Sequence, residues 1–236
     1  MKTILYTFSL LVMCVLFSCN TYNYYPHTVS NGFYANQGEF QVSGYMGSAG
    51  CATTAGVAVT DRISVMGMYA GNPGFGPYHA KEAEFSAGFN NGRANHRTMF
   101  GICGGYGFGS NFKQDSGAVY KRYNGDFNRP FIVLSLGKVS TKSHGVRADA
   151  ALSVRFNYLT YNGITTDKQG VVNNMDGNHF YYEPYVKGSI GGRHVRFDYG
   201  TGFAFKNLTE IGEGVGIWPW HLNIGMTILF GRKYEE

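Results

Sequence analysis

The sequence predicts an all-β fold, an antiparallel up-and-down transmembrane β-barrel of about ten strands, with eight as the alternative count. Three observations lead there. Apolar and polar residues alternate through segment after segment. Glycine accounts for 34 residues, aromatics for 16% of the chain and charged residues for only 15%, a balance that penalises helices and suits strands. Short and long connections alternate along the chain. The formal net charge of +5 is too small to argue for nucleic acid, and Lys and Arg never gather into a long block.

Lys2 precedes an apolar run from Ile4 to Phe17, too short for a membrane-spanning helix and of signal-peptide length. Residues 1–18 are therefore read as a signal peptide. Residues 19–38 are rich in Tyr and Asn, contain Pro26 and lack an apolar period, so they read as a tether. The barrel is expected over residues 39–231, followed by a short periplasmic tail at 232–236.

The strands follow from the alternation. Phe40, Val42, Gly44 and Met46 oppose Glu39, Gln41, Ser43 and Tyr45 in the first; Ala55, Val57 and Val59 mark the second. Thr60-Asp61-Arg62 turns the chain into a third at Ile63 to Tyr69. Ala83, Phe85, Ala87 and Phe89 face away from Glu82, Glu84 and Ser86 in the fourth, and Phe100, Ile102, Tyr106 and Phe108 away from Gly101, Cys103, Gly105 and Gly107 in the fifth. The second and fourth carry the weakest signals. Ile132, Leu134 and Leu136 define the sixth. The seventh sets Leu152, Val154, Phe156 and Tyr158 against Arg147, Asp149, Ser153, Arg155 and Asn157. In the eighth, Phe180, Tyr182, Val186 and Ile190 oppose Tyr181, Glu183, Tyr185 and Lys187; in the ninth, Val195, Phe197, Tyr199 and Phe203 oppose Arg196, Asp198, Gly200 and Gly202. The tenth alternates Trp220, Leu222, Ile224, Met226, Ile228 and Phe230 with His221, Asn223, Gly225 and Thr227.

Alternation does not say which face is inside. A soluble lipocalin-like barrel turns its apolar face inward around a ligand; a membrane barrel turns it outward. Large aromatics near strand ends on the apolar side, and small residues on the polar side, favour the membrane arrangement. The polar side also mixes both signs of charge, Glu39, Glu82, Glu84, Asp149, Glu183 and Asp198 with Arg147, Arg155, Lys187 and Arg196. An enclosed lumen tolerates such charges only when they compensate one another, so these ten are expected to form a luminal network. Short turns at 60–62, 90–97, 140–145 and 191–192 alternate with long connections at 71–81, 111–128, 161–178 and 206–217. This fits short periplasmic turns and longer external loops, and ten strands return both ends of the barrel to the periplasmic side.

Leu16-Phe17-Ser18-Cys19 resembles a lipobox, which implies cleavage before Cys19 and acylation of that cysteine, with palmitate among the attached chains. Asn223, Gly225, Ile228 and Phe230 resemble the C-terminal signal read by the barrel-assembly machinery. Together with Tyr24-Tyr25-Pro26, the 56–67 hairpin and the glycine-rich Gly104 to Gly109, these features make the chain similar to small outer-membrane β-barrel lipoproteins of the Bacteroidota. The resemblance implies a fold and a location, and no activity. In that group surface export is associated with acidic residues just after the acylated cysteine. Asn20-Thr21-Tyr22-Asn23 has none, so the anchor is expected in the periplasmic leaflet.

No motif argues for chemistry. Gly101 to Gly109 leads into no helix, so small strand residues facing a tight lumen explain it better than a phosphate loop. The histidines show no metal-ligand spacing; His194 and His221 are expected to meet in the lumen as a hydrogen-bonded pair. A hydrolytic site from His179, Asp176, Ser116 and Asp115 lacks any recognisable spacing, and Asn207-Leu-Thr209 is a chance sequon. Cys51, at a loop edge, and Cys103, mid-strand, are not expected to pair. No cofactor, metal or catalytic residue is expected. The leading reading is a non-enzymatic outer-membrane scaffold or accessory subunit, its external loops, especially 111–128 with Lys113, Lys121 and Arg122, contacting a protein partner, lipopolysaccharide or a ligand. The alternatives are a narrow small-solute pore, a lipid-active enzyme and a soluble ligand-binding barrel on a lipid tether.

Overall fold

The structure, a computed structural model, describes residues 22–24, 27, 33–72, 78–91, 98–115, 121–139, 146–167, 169–206, 216–217 and 220–232. Ten long strands occupy most of them: β1 Phe40–Gly47, β2 Gly50–Ala58, β3 Ile63–Gly71, β4 Tyr78–Asn90, β5 Met99–Asp115, β6 Lys121–Lys138, β7 Arg147–Asp167, β8 Gly177–Gly191, β9 Val195–Phe203 and β10 Trp220–Phe230. Each is antiparallel to the next, and β10 pairs back onto β1 from Asn223 opposite Gly47 to Phe230 opposite Phe40. The sheet is thus a closed ten-strand barrel without a free edge. Ten is the expected count, and the weakly signalled β2 and β4 are full members of the wall. The expected signal peptide, the expected acylation site Cys19 and residues 233–236 lie outside the described residues.

At one end, the base, the chain enters at Phe40, leaves at Phe230 and turns at 59–62, 91–98, 139–146 and 192–194. Thr60 Oγ1 accepts from the Arg62 and Ile63 N–H groups at 3.2 and 2.9 Å, which closes the first of these turns. The opposite end, the rim, carries the connections at 72–77, 116–120, 168–176 and 204–219 and the tight turn Ser48-Ala49. There Gly50, at φ 119°, lies against the Gly71 backbone, where a side chain has no room.

The wall is uneven in height. β1, β2, β3 and β9 have 8, 9, 9 and 9 residues, whereas β5, β6 and β7 have 17, 18 and 21. The extra residues lie at the rim end, where β5 still pairs with β6 at Asp115–Lys121 and β6 with β7 at Lys121–Asp167, so these three strands project beyond the shorter ones as a lip. The expected long connections at 111–128 and 161–178 are accordingly mostly strand: β5 runs to Asp115, β6 begins at Lys121, β7 runs to Asp167, and Val172–Asn174 folds back on Ile164 to Thr166. Strand pairing needs no apolar face. The outward side of β6 changes from Pro130, Ile132, Leu134 and Leu136 to Arg122, Asn124, Asp126 and Asn128 while its pairing with β5 continues unbroken.

The apolar residues point outward. Phe85, Ile132, Leu136, Leu152, Phe197, Ile224 and Met226 are all exposed, while Glu39, Glu82, Arg129, Arg155, Glu183 and Asp198 are buried inside. Aromatics gather at both ends of this apolar band: Phe40, Phe89, Phe100 and Phe230 toward the base, and Tyr69, Phe108, Tyr158, Tyr182 and Phe203 toward the rim. Trp220, also at the rim, donates its indole N–H to Thr201 Oγ1 at 3.0 Å. A soluble barrel with an apolar interior requires the opposite arrangement.

The segment read as a tether does not lie free. Tyr34, Ala35 and Asn36 are buried in the base of the barrel, with Tyr34 part of one buried cluster with Ala58, Met66, Cys103, Phe131, Val133 and Tyr185. His27 is buried deeper, and Tyr22–Tyr24 pairs in parallel with Gly216–Ile217 in the β9–β10 connection. Among the described residues no helix is long and apolar enough to cross a membrane, which says nothing of strands.

Candidate functional site: the charged lumen

Glu82 and Glu84 are two residues apart on β4, so both carboxylates point inward. Arg129 faces them from β6, one strand beyond. The intervening β5 presents Gly107, which lies in register with Glu84 on one side and Arg129 on the other. A Cβ on Gly107 would stand 3.2 Å from both glutamates, so the missing side chain is what lets the guanidinium reach across. Arg129 pairs with Glu82 and Glu84, donates to Asn157 Oδ1 at 3.1 Å and to the Tyr181 hydroxyl at 3.3 Å.

Beside this row, Arg155 on β7 and Glu183 on β8 are direct cross-strand neighbours. Arg155 Nε donates to Glu183 Oε2 at 2.5 Å and Nη1 to Glu84 Oε1 at 3.1 Å, while Asn157 Nδ2 donates to Glu183 Oε2 at 2.8 Å. Both guanidiniums lie over the Phe131 ring, at 5.6 and 5.7 Å, a favourable use of the aromatic face for a desolvated cation. Two arginines thus knit three glutamates into one buried cluster at mid-height.

Across the lumen the same device recurs. Asp198 on β9, Gly225 on β10 and Tyr45 on β1 lie in one row. A Cβ on Gly225 would collide with the Tyr45 ring; without it the Tyr45 hydroxyl donates to Asp198 Oδ2 at 3.0 Å. Lys187 Nζ donates to the Tyr45 oxygen at 2.6 Å and lies 3.7 Å from Asp198, Thr227 donates to Asp198, and Ser43 and Thr227 share a hydrogen bond of 2.5 Å.

The base is closed by a third group. Gly231, at φ 71°, turns the chain inward after β10 and sends Arg232 under the lumen. Its Nε and Nη2 donate to Glu39 Oε1 at 2.8 and 2.5 Å and its Nη1 to Asp149 Oδ2 at 2.9 Å; Arg196 pairs with the same Asp149. Burial works against the Arg232 cation, yet Glu39 and Asp149 outweigh it and hold its pKa above the ordinary value. Gln41 and the Ala35 N–H complete the Glu39 shell at 2.7 and 2.8 Å. A cavity of about 70 Å³ remains between Tyr34, Lys187, Asp198 and Arg232, room for a few waters.

All ten charges expected in the lumen lie on its inner face. Glu82, Glu84, Arg155 and Glu183 form the central cluster, Lys187 and Asp198 the second, Glu39, Asp149 and Arg196 the third, and Arg147 is buried on the inner face near the base. Of the C-terminal residues, Asn223 is buried inside, Gly225 makes the gap just described, and Ile228 and Phe230 face outward, with the Phe230 ring 6.0 Å from Phe40 at the β10–β1 seam. His194 and His221 do not meet. His194 is exposed in the base turn with Nδ1 3.2 Å from the Leu229 carbonyl, whereas His221 is buried near the rim with its ring stacked on Tyr185 at 5.2 Å. His179 is buried and Asp176 exposed, so the one points into the lumen and the other does not; the side chains of Asp115 and Ser116 and the sequon at 207–209 lie outside the described residues. Cys51 and Cys103 are free thiols.

The sequence reading missed Arg129, Arg232, Tyr45, Tyr181 and His27 as members of this network. Arg129 has the same parity as the inward residues Val133 and Ser135, a signal visible had the sixth strand been extended. No family model matches the chain, and no curated protein matches it significantly. Fold and site define a closed ten-strand β-barrel with an apolar outer wall and an ion-paired, filled interior.

Proposed function

We propose that this chain is an outer-membrane β-barrel that works as a non-enzymatic scaffold or accessory subunit and not as a channel. The carrying observation is the pairing of an outward apolar band, bounded by aromatics, with a lumen filled by compensated charges. In water the outer band would be one continuous apolar surface far larger than soluble monomers expose; in lipid it is the favoured exterior. The filled interior leaves the rim as the surface for recognition. Its tall β5–β6 lip carries an outward Arg122 stacked over Phe112 at 4.9 Å, where a partner subunit is proposed to dock.

Planar-bilayer recording joined to affinity purification in mild detergent tests this reading. The protein is expected to insert without stable conductance steps and to bring down a stoichiometric partner that is lost on Arg122→Glu. Steady ohmic conductance, or recovery of the barrel alone under all mild conditions, overturns it.

A further inference from the structure

We propose that the N-terminal segment threads the barrel from base to rim, so that an acyl group on Cys19 is anchored in the outer leaflet, on the rim side of the membrane. This rests on the outer-membrane reading above and reverses the leaflet that the residues after Cys19 suggest.

Three fixed points along the segment lead there. At the base, the Ala35 N–H donates to Glu39 Oε2 at 2.8 Å, the Phe33 carbonyl accepts from Gln41 at 3.2 Å, and Tyr34 occupies the space over Gly56 that a Cβ there would need. At mid-height, His27 is 3% exposed, its carbonyl accepts from Arg155 Nη2 at 3.3 Å and its ring lies 3.9 Å from Glu82. At the rim, Tyr22 and Tyr24 pair in parallel with Gly216 and Ile217. Ile217 is itself buried against Phe127, Leu159, Tyr161, Tyr181 and Ala204, the rim-side lining of β6, β7 and β8 and of the residue after β9. Taken in the order Asn36, Tyr34, His27, Tyr24 and Tyr22, the described residues therefore stand at successively greater heights, from base to rim.

Lengths agree with this course. The eleven steps from Phe33 to Tyr22 span up to ~36 Å when extended, enough to cross an apolar band ~25 Å tall. Cys19 lies three residues before Tyr22, hence within ~10 Å of it, a reach that includes the rim and excludes the base. Gly56 leaves room for Tyr34, and Gly101 and Gly137 for Phe33, while the Arg155 and Glu82 contacts hold His27. The acylated end and the C-terminal end of the barrel then lie on opposite faces of the membrane, although an even number of strands returns β1 and β10 to the same one. Tyr34 and His27 also take up space inside the lumen, so the stretch that would carry the lipid end helps to fill the interior.

The test uses the full-length chain in its native outer membrane. In a Cys51→Ser, Cys103→Ser background, Tyr24→Cys and Ile217→Cys are introduced; parallel neighbours in a sheet lie within disulfide reach, and most of the heat-modifiable barrel is expected to carry the bond on non-reducing gels. In parallel, an epitope placed after Asn20 is expected to bind antibody on intact cells, and one placed after Glu236 only after permeabilisation. A heat-modifiable barrel without the disulfide, or an N-terminal epitope seen only after permeabilisation, overturns the threading. Absence of any heat-modifiable band would instead overturn the membrane-barrel reading beneath it.

Discussion

Removing the Arg129 guanidinium would leave Glu82 and Glu84 side by side in a lumen that holds little water. Breaking a buried ion pair by taking one partner costs about 3–5 kcal/mol, because the remaining charge is uncompensated. Arg129→Met is therefore expected to lower the unfolding free energy of the barrel by about that amount, measured by urea titration in lipid vesicles. Adding Glu82→Gln and Glu84→Gln to the same variant is expected to recover a large part of it, since the three residues act as one network. If the single variant unfolds like the parent, the cluster is not a stability element. The alternation of the sequence made the inward carboxylates legible together with Arg155, Lys187 and Arg196, which pair with them, but it did not reveal Arg129 and Arg232. Arg129 and Arg232 stand just past the ends of apolar runs, where parity looks irrelevant until the strand or the chain is known to continue. His194 and His221 went wrong for the complementary reason: they are near in strand order but sit at opposite ends of an antiparallel hairpin.

At the scale of elements, β6 holds the boundary of the apolar band within a single strand. Pro130, which has no N–H to give, falls where the ladder to β7 is interrupted between Asn128 and Phe131. Outward side chains are apolar on the base side of it from Ile132 to Leu136, before Lys138 ends the strand, and polar on the rim side. Ile132→Arg is expected to cost about 2–4 kcal/mol of folding free energy in vesicles, and Asn124→Arg close to nothing, because the penalty for a cation on the outer face depends on its depth in lipid. Equal costs would mean that the outer face of β6 does not cross a lipid boundary. A second element-scale device is the Gly188–Tyr199 pair of β8 and β9. These two are direct cross-strand partners, and the tyrosine ring lies over the glycine backbone. Tyr199→Ala is expected to destabilise the barrel by about 1 kcal/mol, in the range of cross-strand aromatic contacts, again by urea titration. Strand existence was legible from period-two patterning, and strand ends were not: β5, β6 and β7 outlast their apolar faces because backbone pairing alone carries them onward.

For the whole molecule, the same glycine abundance that ruled out helices turns out to be distributed by function. Gly107 and Gly225 each open a row through which a charge or hydroxyl on one strand reaches a partner two strands away. A ten-strand lumen is narrow enough for side chains to fill, and here they do so together with Tyr34 and His27. The course proposed for the N-terminal segment could not be read from a stretch rich in Tyr and Asn, because its own composition has no period and the contacts of His27 are with Glu82 and Arg155, far along the chain. What decides the account as a whole is the sidedness of the wall. The most direct measurement takes the chain with Cys19→Ser, which removes the proposed acylation site, and follows it through a carbonate wash of membranes and onto an unheated gel. A membrane barrel is expected to stay with the membranes and to give a band that shifts on heating; release into the soluble fraction would contradict the membrane reading and leave the exposed apolar wall without its lipid.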